Sequence, residues 1–134
     1  MKRLILTLAT LAVAAASPGL ANARSGLEGR WKNGRMEIVI RQCGGGALCG
    51  VVVKASAKQQ AKAQSGSGTK LLGSKVIDNI RPTGANLYRA DVFVADRDVN
   101  ASGTIRQLNP NRLNVRGCVW AIICKTTNWD RVSQ

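Results

Sequence analysis

The sequence contains no histidine. That absence removes the Ser-His-Asp and Cys-His catalytic arrangements, which need an imidazole to carry the proton, and it removes the commonest zinc ligand. Acidic residues are scarce, seven in 134. Asp96 and Asp98 come nearest to a carboxylate couple. Two residues apart in a turn-rich stretch, they read as turn caps and not as a glycosidase pair. The "GGG" at 44–46 is followed by neither Gly-Lys-Ser/Thr nor a helix, so it is no phosphate loop. Aromatic residues number five: three Trp, one Tyr and one Phe. No segment shows sustained helical periodicity. The expectation is a non-enzymatic protein with no cofactor and no bound metal.

Long apolar stretches are confined to the front of the chain. Lys2 and Arg3 precede a largely apolar run over 4–16, then Ser17-Pro18-Gly19 and the small-x-small triplet Ala21-Asn22-Ala23. These are the charged, apolar and cleavage regions of a secretory signal peptide. The run is shorter than the roughly 20 residues of a permanent membrane anchor. Residues 1–23 are therefore read as a leader cleaved after Ala23, with no transmembrane segment remaining. Residues 24–134 form a single exported, periplasmic domain.

Basic residues outnumber acidic ones 20 to 7, a net charge of +13. Subtracting Lys2 and Arg3 leaves +11 on residues 24–134. Charge of that size points to anionic partners. Nucleic acid is set aside, because the protein is exported and its basic residues are scattered. The remaining candidates are lipid head groups, lipopolysaccharide, an acidic cell-wall polymer or an envelope protein.

Four cysteines in an exported chain read as two disulfides. Cys43 and Cys49 have the same spacing as Cys118 and Cys124, which favours two local bridges, each across a hairpin mouth. Zinc is the weaker reading, since the spacing is not that of a zinc ribbon. In the first hairpin, Met36, Ile38 and Ile40 alternate along "RMEIVIRQC", and "LCGVVVKA" is its partner across "GGGA". A register set by the cysteines would place Arg41 opposite Val51 and Val39 opposite Val53. Residues 56–70, "SAKQQAKAQSGSGTK", read as a mobile basic loop with at most one helical turn. Further strands are expected over 71–77, 87–95, 104–108, 112–118 and 126–132, with turns at 81–84, 96–103 and 109–111. Seven or eight short strands mean a sandwich or a barrel.

The last hairpin is self-consistent. If Cys118 pairs with Cys124, Arg112 faces Asp130, Leu113 faces Trp129 and Val115 faces Thr127, with polar and apolar side chains sorted onto opposite faces. The five apolar residues of "VWAII" then form the tip. Either they fold over the barrel mouth or under residues 56–70, or they are a contact loop for a lipid surface or partner. In the second case Val119, Trp120, Ile122 and Ile123 supply apolar contact, and Arg116 and Lys125 meet anionic groups.

Gly29-Arg30-Trp31 at the start of the first strand and Arg131 in the last resemble lipocalin-like barrels, where an arginine packs over the first-strand indole and closes one end. More of the chain resembles the bacterial family called domain of unknown function 2147. The likeness rests on "EGRW", "CGGGALCGVVV", "LLGSKVI", and "LNVRGC" followed by "TTNWDRV". It implies an all-β fold, a small antiparallel up-and-down barrel of lipocalin or calycin kind with two hairpin disulfides, and Trp31 with Arg131 as its closure pair. The chain departs from the family in its basic "AKQQAKAQ", in Tyr88 near a usual Trp, and in "DVNASGTI". Two functions remain open. One is a barrel binding an anionic or amphiphilic envelope component. The other is a partner-binding structural protein of envelope integrity or stress, its interior filled by Met36, Ile38, Leu113 and Trp129.

Overall fold

The computed structural model describes residues 26–133, so the leader and the cleavage after Ala23 lie outside the described residues. In chain order the elements are β1 (Gly29–Asn33), β2 (Met36–Gln42), β3 (Leu48–Lys54), α1 (Ala57–Ser67), β4 (Lys75–Gly84), β5 (Leu87–Val94), β6 (Val99–Asn109), β7 (Arg112–Val119) and β8 (Ile123–Ser133). Each strand pairs antiparallel with the next and β8 returns to β1, closing an eight-strand up-and-down barrel. Full closure leaves no unpaired sheet edge. The topology gives the barrel two unlike ends. The β1–β2, β3–β4, β5–β6 and β7–β8 connections gather at one end, the mouth, and the remaining connections form the base. No helix among the described residues is long and apolar enough to cross a membrane.

Period-two alternation decides which side chains enter the barrel. Trp31, Ile38, Ile40, Ile80, Ile105 and Leu113 are each at most 1% exposed. Fully burying such side chains stabilises the fold by roughly 1.5–3 kcal/mol apiece. Leu27, just before β1, is buried with them, and the Trp31 Nε1–H donates to its carbonyl at 2.8 Å.

The base is held by Arg131. Its guanidinium carbon lies 4.2 Å from the centroid of the Trp31 ring. Its Nε donates to the Pro110 carbonyl (2.7 Å), Nη1 to that of Glu28 (2.8 Å) and Nη2 to that of Gly26 (2.5 Å). One side chain thus ties the β6–β7 turn and the segment before β1 to the last strand. Partial burial lowers the pKa of Arg131 from its ordinary value, and the group stays a cation.

On the outer wall the carboxylate of Glu37 accepts from Arg30 Nη2 at 2.8 Å. Lys32 and Lys54 stand opposite it on the neighbouring strands. The Arg30 hydrogen bond is the chief cause holding the Glu37 carboxyl below its usual range; burial opposes the shift, and the positive charges of Arg30, Lys54 and Lys32 reinforce it.

Both disulfides form, Cys43 with Cys49 and Cys118 with Cys124. The last hairpin takes the register expected of it, including Arg112 opposite Asp130 and Leu113 opposite Trp129. The first hairpin does not. Gln42 pairs with Leu48, so Arg41 faces Cys49 and Val39 faces Val51, not Val51 and Val53. The reason is the loop: Gly44, Gly45 and Gly46 all adopt positive φ, and a five-residue turn leaves Cys43 outside the ladder. The turn expected at 81–84 lies instead at 85–86, since β4 runs through Gly84 with register shifts, and the turn expected over 96–103 is shorter, since β6 already begins at Val99.

The largest correction concerns 56–70, which holds an 11-residue helix where a mobile loop was expected. Ser56 and Gln59 form a reciprocal capping box, satisfying two backbone N–H donors at the start of the helix. Gly68, at φ 71°, ends the helix in a left-handed conformation that glycine adopts without steric cost. The helix packs on the barrel through Ala63 alone as a fully buried residue, while Ser67 Oγ donates to the Ala95 carbonyl at 2.6 Å.

Three outcomes follow from these contacts. Replacing Arg131 by Leu removes a charge-assisted three-way tether, and urea unfolding should show a loss of about 2–4 kcal/mol; Arg131→Lys, keeping charge without the planar fork, should recover less than half of it. Because the Glu37 carboxyl is depressed in the folded state, its stabilisation is present above the ordinary value of 4.5 and is lost as pH falls through the lower folded value. Unfolding measured from about pH 5 to about pH 3 should therefore steepen for the parent relative to Glu37→Gln. A methyl group at Gly66 would collide with the Asp96 backbone, so Gly66→Ala should cost roughly 1–3 kcal/mol by the same assay despite its better helix propensity.

Candidate functional site

The barrel is filled at its base and hollow at its mouth. A cavity of about 360 Å³ opens between α1 and the mouth ends of the strands. Met36, Leu71, Val76, Phe93, Val115 and Trp129 supply its apolar lining. Gln59, Lys62, Asp96, Lys125 and Thr127 supply the polar part. The strand pattern explains the division. Val115, Thr127 and Trp129 lie on the inward face of the final hairpin, and continuing that face toward the tip brings Lys125 to the rim. The capped helix sets Gln59 and Lys62 on the opposite side. Trp129 forms part of the floor, and its Nε1–H donates to Thr127 Oγ1 at 3.1 Å, so its polar edge is satisfied.

The cavity thus joins apolar walls to a charged rim, where the exposed Lys62 and Lys125 supply two ammonium groups and Asp96 one carboxylate. A few convergent polar groups over an apolar site of this size is the usual design of a small-molecule pocket. No group of three or more His, Cys, Asp or Glu that could hold a metal ion occurs among the described residues. Asp96 and Asp98 both stand in the β5–β6 turn, with Asp98 at φ 52°.

The "VWAII" tip neither folds over the mouth nor packs beneath residues 56–70. Trp120 is 81% exposed, Ile122 82% and Ile123 60%. Val119 is half-buried and pairs with Ile123 in the last rung of the hairpin, next to the disulfide rung of Cys118 and Cys124. Trp120 and Ala121 hold left-handed backbone conformations, φ 53° and 60°. For residues with side chains that costs roughly 1 kcal/mol each.

The two cations expected together at the base of the tip are separated. Lys125 lines the cavity, whereas Arg116 lies on the outer wall, where it shares a groove with Arg89 and Trp120. Strand register explains the split: Arg116 pairs with Thr126, one position from Lys125, and neighbouring positions point to opposite faces. The same register aligns Arg89, Thr104 and Arg116 across three strands of the outer wall. Sequence reasoning missed α1 with Gln59 and Lys62. The available signal was the Ser56-x-x-Gln59 capping box with Gly68 behind it.

The barrel is similar in fold to a solved structure, protein HP1028 from the human pathogen Helicobacter pylori, described as belonging to the lipocalin family. The TM-score is 0.59 at 13% sequence identity, over 81% of this chain and 84% of that one. No curated protein matches the sequence. Residues 29–131, from the glycine that opens β1 to the arginine that latches β8, match the model of a family described as "Uncharacterized protein conserved in bacteria". The chain belongs to that family, DUF2147.

Proposed function

We propose that this protein is an exported, non-catalytic binding barrel that holds an anionic amphiphile of the cell envelope in its mouth cavity. The observation that carries the reading is the cavity itself, about 360 Å³ of largely apolar space with Lys62 and Lys125 at the rim. Its size lies at the small end of ligand sites, which favours a single acyl-like chain over a bulky ring system. Two disulfides are the chemistry of an oxidising compartment and support export. The lipocalin-like shape supports binding over catalysis, and the lack of histidine agrees with that. The competing reading, a structural module with a filled interior, is disfavoured by the hollow mouth. Ile38, Leu113 and Trp129 do fill the core, with Met36 packed against it, but Met36 and Trp129 also border the mouth cavity.

Titration of the leaderless, oxidised protein with a medium-chain fatty acid should give saturable one-to-one binding by calorimetry. An alkyl-trimethylammonium ion of equal chain length should bind far more weakly. The double variant Lys62→Glu, Lys125→Glu should lower fatty-acid affinity by about tenfold or more, since it reverses both rim charges. Equal affinity for the cationic and anionic chains would contradict the assignment of the head-group site. Absence of binding to either would contradict the cavity reading.

A further inference from the structure

We infer that the β7–β8 hairpin is a membrane-docking device that seats the barrel, mouth first, on an anionic phospholipid bilayer. The inference goes beyond cavity binding and does not require the cavity to be occupied.

Three independent observations support it. The first is the tip: Trp120, Ile122 and Ile123 are the most exposed large apolar side chains of the described residues. They sit together on one projecting turn, where nothing among the described residues covers them. A protein interface of ordinary strength needs about 800 Å² from each partner, far more than three side chains on a narrow turn provide. Insertion into the head-group region needs no such flat area, and a tryptophan is the side chain best suited to that boundary.

The second observation is the tip's backbone. The left-handed Trp120 and Ala121 occupy positions where glycine or asparagine would be relaxed. The Cys118–Cys124 bridge lies one rung below and clamps the turn. A tryptophan held in an unfavourable conformation, 81% exposed and next to a covalent staple, adds little to the fold. Its placement is accounted for by a surface that receives it.

The third is charge. Arg35, Lys54, Lys58, Lys62, Arg97 and Lys125 are exposed, and all belong to the mouth end by strand direction and connection. None of the six forms an ion pair among the described residues. Near the tip, Arg89 and Arg116 share the groove of Trp120 on the outer wall and are likewise without an ion pair among the described residues. An indole at head-group depth would bring both guanidinium groups to the level of lipid phosphates. Basic residues surrounding a short apolar wedge are the pattern that binds anionic membranes, because each supplies what the other lacks. Docking in this pose also turns the cavity mouth toward the lipid.

The test is flotation of the oxidised, leaderless protein with phosphatidylglycerol–phosphatidylcholine vesicles and with pure phosphatidylcholine vesicles at low salt. A Trp120→Ala, Ile122→Ser variant is run beside the parent. The parent should float with anionic vesicles only, and the variant should bind at least tenfold more weakly with an unchanged melting temperature. The parent's tryptophan emission should shift to the blue on adding anionic vesicles, and brominated lipid should quench it. That readout holds even if the variant folds poorly. Undiminished binding by a folded variant, equal binding to neutral vesicles, or no binding and no emission shift would each overturn the inference; the last would leave the tip as a contact for a protein. Fatty-acid titration of the same variant separates the two readings, since loss of docking should leave cavity binding intact.

Discussion

Arg131, on the last strand of the barrel, packs over the Trp31 indole of the first. An eight-strand cylinder is stable only if its last strand finds its first, and that pairing joins residues about a hundred positions apart, the costliest kind of contact to form. The β1–β8 seam shows a register shift at Arg30/Trp31, as several other seams of the barrel do at their own positions. The guanidinium adds side-chain ties to that backbone pairing. It covers the buried indole of Trp31 and ties down three backbone carbonyls from two separate segments. Only a planar, five-donor cation satisfies that geometry.

Fixing one end has a consequence for the other. With Leu27, Trp31 and the isoleucines packing the base, the interior is spent as a core there, and the mouth is free to be hollow. The helix completes the cavity without sealing it. It is anchored by Ala63, Gly66 and Ser67 near its C-terminal end, while its N-terminal half presents Gln59 and Lys62 to the opening. The same end carries cations without an ion pair among the described residues, and the exposed hairpin tip. Polarity of the barrel, a sealed base and an open basic mouth, is thus the shared origin of both functional proposals.

Much of this was legible in the residues. The final hairpin could be read in register because a one-residue slip would turn Leu113 and Trp129 outward and separate Arg112 from Asp130. The disulfide spacing and the Trp31–Arg131 likeness pointed to the right fold. The first hairpin misled because consecutive glycines permit several loop lengths, and the cysteine pair does not lie across from itself in the ladder. The helix was hidden by its composition. Alanine, lysine and glutamine produce no apolar stripe, and a helix that buries little needs none; only its caps announced it. Exposure of Trp120 lay beyond sequence reasoning altogether. Whether an apolar tip is covered depends on what the other loops do, and here the connection best able to reach it folds into α1.

The central claim is that the mouth of this barrel holds an anionic amphiphile. The most direct measurement is native mass spectrometry of the oxidised protein, purified without detergent from the cells that produce it. The account predicts a fraction carrying one additional mass of lipid-like size, released on gentle activation and detected as an anion. A protein that appears only at its own mass, both as isolated and after incubation with total envelope lipid, would contradict it.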